Sequence, residues 1–364
     1  MLTKHITQFL DSEFPLAYQE DYDNSGFQIG DPEQEINSVL VCVDVTEPII
    51  DEAVETGCGL VIAHHPLIFG GLKKITGRNY VERVVKKAIQ NRIGIYAIHT
   101  NLDNHYKGLN KHLAEKFGLS NLRILKPKSE TLRKLVTFCP VEHAAKIRKA
   151  IFEAGAGRIG NYDSCSYNTI GEGSFRALDE ANPFVGNIGE VHFEKEVKIE
   201  AIFPAYLEQN IVEKMIEAHP YEEVAYDILL LGNSDKYIGS GMIGELDEEI
   251  SASGFLGKVK SICGLPTIRY TGDLTRLIKK IAICGGSGSF LINDAVRAGA
   301  NVFLTGDLKY HDFFIPENKI ILADIGHYES EQFSKDLIAQ VLIRKFPNFA
   351  VLKTKQNTNP IKYL

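Results

Sequence analysis

The chain has 364 residues and a formal net charge of −7, and this length suggests two or three domains. It contains no long run of Lys and Arg, so nucleic acid is possible as a partner but is not indicated by charge. No stretch of about 20 apolar residues is present, so no membrane partner is expected. The first residues lack the pattern of a signal peptide and the six cysteines are scattered, so we expect a cytoplasmic protein with reduced thiols.

The first third of the chain alternates predicted strands with predicted helices. Strands are predicted at residues 36–46, 59–69 and 93–103, and helices at residues 48–58 and 80–92. Helices of this length act as crossovers between parallel strands. The pattern therefore predicts an α/β fold with a mostly parallel or mixed sheet and flanking helices.

The middle of the chain has a different pattern. Strands are predicted at residues 134–140, 165–171, 197–204 and 223–231, with helices at residues 141–155 and 205–220. This β-α-β-β-α-β order is typical of a ferredoxin-like α+β domain. The segment between the middle strands, residues 172–191, is predicted to be a long loop.

The α/β pattern returns after the middle segment, with strand, glycine loop and helix in KKIAICGGSGSFLINDAVRAGA. A pattern that stops and resumes indicates one domain with another inserted in it. We place a discontinuous α/β metal-binding domain at residues 1–125 plus 234–364. The inserted ferredoxin-like domain is placed at residues 126–233.

Polar residues follow several of the predicted apolar strands. They are His64 and His65, Asp103, Asp307 and His327. In open parallel sheets, ligands bind beyond the carboxyl ends of the strands. These positions, although distant in sequence, are therefore expected to share one crevice.

The adjacent histidines in VIAHHPLIF indicate a pair of metal ions. Neighbouring side chains of an extended segment point to opposite faces, so His64 and His65 would not easily bind a single ion. Ions in dinuclear hydrolytic sites lie about 3.5 to 4 Å apart, which suits one imidazole each. The alternative is an ordinary strand end, with one buried and one exposed histidine.

A second candidate ligand pair lies in GHYESE. His327 and Glu331 are four residues apart at a predicted helix start, so they share one helical face. The alternative for His327 and Glu331 is a solvated first turn of the helix. Asp103 is the remaining candidate ligand, and its alternative role is that of a turn residue. Together the His, Asp and Glu residues suit two divalent ions, with Zn as the first expectation and Fe, Mn or Co as alternatives.

Candidate substrate and catalytic residues surround the predicted metal site. Backbone N–H groups of the loop Gly285, Gly286, Ser287 and Gly288 are predicted to hold a phosphate, and Asp44 and Asp307 to line the crevice. The alternatives are a tight turn for the glycines and ordinary loop chemistry for the acids. His99 is predicted to be an acid or base near the metals, with a buried structural histidine as the alternative.

The motifs VIAHHPLIF, IHTNLDN, LTGDLKYHD and GHYESE, in this order around an insert, resemble the Ngg-interacting-factor-three-like family. Its members are also called GTP cyclohydrolase 1 type 2 homologues, and the long form carries a domain similar to the PII and cation-tolerance proteins. The resemblance implies a dinuclear site with His64 and His327 on one ion, His65 and Asp103 on the other, and Glu331 bridging. It also implies a toroidal homohexamer.

The functional hypothesis is a dinuclear metal-dependent hydrolase that acts on a purine nucleotide or a similar small anionic substrate. Glu331 and metal-activated water would carry the chemistry, with His99 as a possible proton shuttle. One alternative is a metal-bearing regulatory or binding ring protein, with a partner protein or nucleic acid and no turnover. A further alternative is a metallophosphatase or a nuclease.

Overall fold

The computed structural model describes residues 1–364. Its contacts divide the chain into two compact units, Met1–Pro127 with Lys236–Leu364, and Lys128–Asp235. The unit boundaries fall two residues beyond the sequence-based ones, at 127 against 125 and at 235 against 233. None of the helices combines the length and the apolar character that crossing a bilayer requires.

The first segment of the large unit begins with a helix and then alternates short strands with helices. Its elements are α1 (Thr3–Glu13), β1 (Gly26–Ile29), β2 (Ser38–Cys42), α2 (Glu47–Glu55), β3 (Leu60–Ala63), α3 (Tyr80–Gln90), β4 (Gly94–Ala97), α4 (Thr100–Asp103), α5 (Leu109–Lys116) and β5 (Ser120–Pro127).

The inserted unit has two helices and four strands. They are β6 (Leu132–Pro140), α6 (Ala144–Glu153), β7 (Tyr167–Arg176), β8 (Val191–Pro204), α7 (Glu208–Ala218) and β9 (Tyr226–Leu230). The strands pair in the order β7-β8-β6-β9, and every pair is antiparallel. Strand β7 extends five residues into the predicted loop, from Glu172 to Arg176, because its residues pair with β8 in continuous register.

The second segment of the large unit completes the chain. Its elements are β10 (Gly239–Ser251), α8 (Ala252–Cys263), β11 (Arg269–Thr271), β12 (Leu277–Ser287), α9 (Ile292–Arg297), β13 (Val302–Gly306), β14 (Ile321–Asp324), α10 (His327–Glu331), α11 (Ser334–Lys345) and β15 (Ala350–Lys353).

The large unit contains two mixed sheets. The first has the order β1-β4-β3-β2-β15, in which only β1 is antiparallel to its neighbour. Alternate residues of β2 enter two different cores: Leu40 packs with α2 and α3, whereas Val39 and Val41 pack with α1 and α11. A strand covered on both faces reads as a continuous apolar run, which explains the SVLVC segment.

The second sheet has the order β11-β14-β13-β12-β10-β5. Its central strands β12, β13 and β14 are parallel, and β10, β5 and β11 pair antiparallel. The predicted α/β fold with a mixed sheet and flanking helices is therefore confirmed, although the strands divide between two sheets. Each segment also supplies one edge strand to the sheet of the other, β15 to the first and β5 to the second.

The carboxyl ends of strands from both sheets position the candidate site. Strand β3 ends at Ala63, directly before the two adjacent histidines, and β4 is followed by the short helix α4. In the second sheet, β14 ends at Asp324, two residues before the Gly326 that precedes α10. The predicted polar positions thus follow strand ends on both sheets of the large unit.

Candidate metal centre

His64 and His65 directly follow β3, which ends at Ala63, and lie in a bend of the chain. The His64 and His65 N–H groups donate to the carbonyl oxygens of Cys42 and Val43 at 3.1 and 2.9 Å, so the segment stays beside β2. The two imidazoles contact different partners through Nδ1. His64 Nδ1 is 2.9 Å from the Ile98 carbonyl oxygen, while His65 Nδ1 is 2.7 Å from Asp44 Oδ1.

Glu331 lies at the centre of the cluster, on the last residue of α10, and only 2% of it is exposed. Its Oε2 atom is 2.8 Å from His65 Nε2 and 3.0 Å from His327 Nε2. Its other oxygen, Oε1, is 3.7 Å from His64 Nε2. One carboxylate therefore presents a different oxygen to each of two sets of side chains.

The potential ligands form three overlapping groups, and two of them share Glu331. The first contains His64, Asp103 and Glu331, and the second contains His65, His327 and Glu331. The third contains His64, His65 and His99, and in each group the ligand atoms lie within 4.8 Å of one another. The family resemblance paired His64 with His327 and His65 with Asp103, and that pairing stays a prediction. His64 Nε2 is 3.7 Å from Asp103 Oδ1, and His65 Nε2 is 3.3 Å from His327 Nε2.

The directions of the two imidazoles account for these distances. His64 points toward the neighbouring strand β4, whose end leads into α4 and Asp103. His65 points toward Asp44, which follows β2, and toward Glu331 at the end of α10. Glu331 belongs to the group of His64 and Asp103 and to the group of His65 and His327, and its bridging role stays a prediction.

Two buried atoms of the first group lack any hydrogen-bond partner, namely His64 Nε2 and Asp103 Oδ1. Leaving buried polar atoms unpaired costs about 1 to 3 kcal/mol each, so such atoms usually have a partner. Two ligands of one tetrahedral ion at about 2.1 Å each would lie about 3.4 Å apart, close to their observed separation. The cluster therefore fits a divalent metal ion with nitrogen and oxygen ligands.

Three oxygen atoms hold the imidazoles from the side opposite the ligand atoms. They belong to the Ile98 carbonyl, to Asp44 and to Asp307, whose Oδ2 is 2.7 Å from His327 Nδ1. The sequence analysis placed Asp44 and Asp307 among the substrate contacts. In the structure, both carboxylates accept from Nδ1 and leave Nε2 facing Glu331, which is how metal-binding histidines are commonly oriented.

The charges of the cluster shift the pKa values of its members. Burial would lower the pKa of His65, but hydrogen bonds to Asp44 and Glu331 outweigh burial and raise it to about 10. The pKa of His327 rises to about 11, because hydrogen bonds to Asp307 and Glu331 again outweigh burial. Burial and the neighbouring Glu331 charge raise the pKa of Asp103 to about 8. Positive charge is therefore favoured at this point of the molecule, as a metal cation requires.

The glycine loop that is predicted to hold a phosphate makes backbone contacts within the protein. The Gly285 N–H donates to Asn110 Oδ1 at 2.9 Å, and the Gly286 N–H donates to Ser330 Oγ at 2.9 Å. These N–H groups are consequently not free for an anion, and Ser287 is itself a strand residue paired with Gly306.

The glycines instead allow close approach of other groups. A Cβ atom on Gly286 would lie 2.1 Å from Glu331 Oε1, and one on Gly288 would lie 2.5 Å from Thr305 Oγ1. The N–H groups of Gly285 and Gly286 therefore have acceptors within the protein, and a substrate contact by this loop stays a prediction. The tight-packing alternative describes these residues.

A cavity of about 660 Å³ opens onto the cluster. Its walls include His65, Asp103, His327 and Glu331, together with His99. His99 Nδ1 is 2.8 Å from Asp23 Oδ1, so its other ring nitrogen, Nε2, is the one left for the cavity. Burial would raise the pKa of Asp23, but the His99 imidazole and the Thr100 hydroxyl hold that pKa well below its usual range.

Sequence reasoning missed two residues that support the site. Asp23, which contacts His99, lies 76 positions from it in the sequence. The Thr358 hydroxyl donates to Asp44 Oδ2 at 2.7 Å, and these two residues are 314 positions apart. Asp23 occurs in the acid-bearing stretch EDYDNSG, and only its position before a β-strand could have drawn notice. Nothing near Thr358 in the sequence indicates its contact.

Comparisons with known proteins give a consistent family assignment. A curated protein from Bacillus subtilis named GTP cyclohydrolase 1 type 2 homolog is 37% identical over 371 residues, covering 99% of this chain and 98% of that protein. A protein of the same name from Halalkalibacterium halodurans is also 37% identical, over 367 residues.

A solved structure and a family description agree with these relatives. A Bacillus cereus protein related to NIF3 superposes with a TM-score of 0.86 at 36% sequence identity, covering 100% of this chain and 99% of that one. The family described as Duf34/NIF3 (NGG1p interacting factor 3) matches residues 1–360. The chain therefore belongs to the Duf34/NIF3 family.

Proposed function

We propose that this chain is a dinuclear metal-dependent hydrolase that acts on a purine nucleotide or a related small molecule. The observation that carries the proposal is the cavity of about 660 Å³ that reaches both ligand groups that share Glu331. A purely structural metal site is closed by protein ligands, whereas a catalytic one keeps a position open to substrate. The name of the relatives, GTP cyclohydrolase 1 type 2 homolog, suggests a purine substrate.

In this proposal, His64 and Asp103 would hold one ion, His65 and His327 the other, and Glu331 both. Zn suits this nitrogen and oxygen donor set, and Fe, Mn or Co also fit it. When bound, such ions acidify water and stabilise negative charge on a reacting oxygen. The Asp44 and Asp307 carboxylates would keep the His65 and His327 imidazoles in the orientation that binding needs.

His99 would handle protons at the substrate. Because Asp23 accepts from Nδ1, the neutral imidazole carries its lone pair on Nε2, which can take a proton and return it. Asp23 also accepts from the Thr100 backbone N–H at 3.0 Å, so the pair is fixed in position. The buried carboxylate would stabilise the imidazolium form that appears during transfer.

The cavity wall has a composition that bears on the substrate. It contains the aromatic residues Tyr22, Phe69, Tyr80 and Phe290, which are exposed at 64, 53, 57 and 56%. It contains no Lys or Arg. Exposed rings suit a planar base, whereas the lining itself offers a triphosphate no cationic side chain.

A substrate panel with a common base tests the proposal. Zn-loaded and Mn-loaded protein is incubated with GTP, GMP and guanosine, and formate, phosphate and ring-opened product are measured. Hydrolytic ring opening that disappears in Glu331→Gln and falls at least tenfold in His99→Gln is expected. The exposed Glu180→Gln variant serves as a control, because it removes a carboxylate without touching the cluster.

Other outcomes of the panel identify the rival functions. Phosphate release without ring opening would make the chain a metallophosphatase. No turnover of any compound, in wild type and His65→Ala alike, would contradict the hydrolase and favour a regulatory or binding ring. We also propose the homohexamer and the cytoplasmic location that the sequence suggested. Light scattering should give a mass near six copies of the 40.5 kDa chain.

A further inference from the structure

The inserted unit, Lys128–Asp235, contains a cavity of its own, with a volume of about 700 Å³. One face of its four-stranded sheet packs on α6 and α7, where Leu135, Ile199 and Phe203 are buried. The cavity lies on the other face, which carries Phe138, Glu196 and Lys198. Its volume falls within the roughly 300 to 1,000 Å³ of typical small-molecule sites.

The floor of this cavity is formed by two alternate glycines of β7. Gly171 and Gly173 pair with Glu196 and Glu194 of β8, so their missing side chains would stand on the cavity face. A Cβ atom on Gly171 would meet nothing within 4 Å, and one on Gly173 would lie 2.2 Å from Glu196 Oε2. Glycine weakens a strand interior, and in strands it often marks a place where another group approaches closely.

The walls are aromatic and remain partly open to solvent. The rings of Phe175 and Phe184 both lie 6.2 Å from the ring of Tyr221, measured between centroids. Phe184 is 49% exposed and Leu178, on the same wall, is 68% exposed. The cavity therefore presents ring faces and apolar surface that no segment of the inserted unit covers.

The charge of the lining is negative. Four glutamates, Glu172, Glu196, Glu222 and Glu223, line the cavity with only Arg176 and Lys198 as cationic residues. Lys198 is already paired with Glu200 at 3.4 Å.

Glu196 is the half-buried carboxylate of this group. It accepts a hydrogen bond from the Tyr221 hydroxyl at 2.9 Å, and no Lys, Arg or His nitrogen lies within 4.0 Å of it. A carboxylate without a cationic partner, beside aromatic ring faces, is an arrangement that favours a positively charged group.

We propose that the cavity of the inserted unit binds a small organic cation, in which a protonated amine is attached to an apolar body. The amine would pair with Glu196 and lie against the Tyr221 ring. The apolar body would lie over the glycine floor, between Phe175 and Phe184. This cavity shares no residue with the metal cluster, because every lining residue belongs to Lys128–Asp235.

Three linear eight-carbon compounds of matched length test the charge preference. Titration calorimetry of the full-length, metal-loaded protein uses 1,8-diaminooctane as the cation, 1,8-octanediol as the neutral compound and octanedioate as the anion. Binding of the diamine, at least about tenfold tighter than binding of the other two, is expected. Equal affinity for all three compounds, or tighter binding of octanedioate, would overturn the proposal.

Two variants locate the binding, and a third is the control. Glu196→Gln removes the charge but can still accept from Tyr221, and Gly171→Leu fills the open floor at a position without positive φ. Each should weaken diamine binding at least about tenfold. Glu217→Gln on α7 removes a carboxylate that pairs with Lys214 outside the cavity, and should leave binding unchanged.

Diamine binding that both site variants leave unchanged would refute the site. A second result would also refute it: the wild type does not bind the diamine, and the Gly171→Leu variant forms an assembly of different molecular mass. That result would assign this face to contact with a second copy of the chain. The thermal unfolding of each variant is measured first. Glu196→Gln, a change at a half-buried position, keeps the test informative if Gly171→Leu does not fold.

Discussion

Each imidazole of the candidate metal centre is held by an oxygen atom on its Nδ1 side. The support of His65 extends one residue further, because Asp44 itself accepts from Thr358. Partners of this kind fix the orientation of a ligand, and their loss typically weakens metal binding 10-fold to 100-fold. The residues that determine affinity therefore include side chains that touch no ion.

The Thr358→Val variant tests this extended support. It preserves the shape of the side chain but removes the hydroxyl that donates to Asp44, so we expect Zn affinity to fall about tenfold. Competition with a chromogenic chelator measures the change. Thr354→Val is the matched control, since that hydroxyl donates to Glu52 instead. Equal affinity of the Thr358 variant and the wild type would show that Asp44 needs no such support.

The Gly286→Ala variant tests the close approach of the loop to Glu331. Gly286 has a φ of +61° and no room for a Cβ atom, which would lie 2.1 Å from Glu331 Oε1. The backbone alone costs about 1 to 2 kcal/mol for a residue other than glycine, and Glu331 would also have to move. We expect reduced stability in urea and loss of metal binding.

Gly257→Ala is the control for Gly286→Ala. Gly257 lies within α8, and an added Cβ atom there would meet nothing within 4 Å. Glycine in a helix interior lowers the free energy of unfolding by about 0.5 to 1 kcal/mol relative to alanine. This variant should therefore be as stable as the wild type or more stable. Metal binding by Gly286→Ala that matches the control would mean that the loop does not position Glu331.

At the scale of elements, buried strands were predictable because they are short apolar runs between helices. SVLVC and LVIA are examples, each with every residue buried. Their distribution over two sheets was not predictable, because it depends on edge strands such as β15, which pairs with β2 from more than 300 positions away. The five ligand candidates follow strand ends or lie on α10, so local patterns could identify them. Their grouping required the directions of the side chains.

The end of α7 gives the inserted unit a pH dependence. His219 follows the helix and is buried; its Nε2 donates to the Phe138 carbonyl at 2.9 Å, and its Nδ1 accepts from the Tyr221 N–H at 3.1 Å. Burial lowers the pKa of His219 below its ordinary value of 6.5. The unfolded chain therefore binds a proton more readily, and stability should fall as the pH drops below about 6.5.

Hydrogen exchange followed by mass spectrometry measures this effect. Amides of β6 and α7 should lose protection between pH 7 and pH 5, after correction for the intrinsic exchange rate. Strands β2 and β3 of the large unit serve as the internal control. His219→Gln should be less stable at pH 7 and should show a flatter pH dependence. An unchanged slope in that variant would assign the effect to another group.

At the scale of the whole molecule, the two units have separate hydrophobic cores. The buried core of the inserted unit runs from Leu135 to Ala218, and the partly buried residues that pack against it belong to the same unit. The ligand cluster lies in the large unit. A metal that binds only the folded form of one unit raises the free energy of unfolding of that unit by RT ln(1 + [L]/Kd), where [L] is the concentration of free metal. Metal binding should therefore affect the two units unequally.

Calorimetry with and without Zn tests this independence. We expect two unfolding transitions, of which EDTA lowers only the one that belongs to the large unit, by several degrees. Hydrogen exchange assigns each transition to its unit. In His65→Ala the difference between the Zn and EDTA samples should be much reduced. A single transition that shifts as a whole would show that the units unfold together.

The distance along the chain between the two halves of the cluster has a consequence for biosynthesis. Glu331 follows His65 by 266 residues, and the entire inserted unit is translated between them. At about 5 to 20 residues per second, the ribosome needs on the order of 10 to 50 s to pass from the first histidines to α10. During that interval the nascent chain exposes His64, His65 and Asp103 without Glu331, so metal capture should be a late event that follows synthesis of both halves.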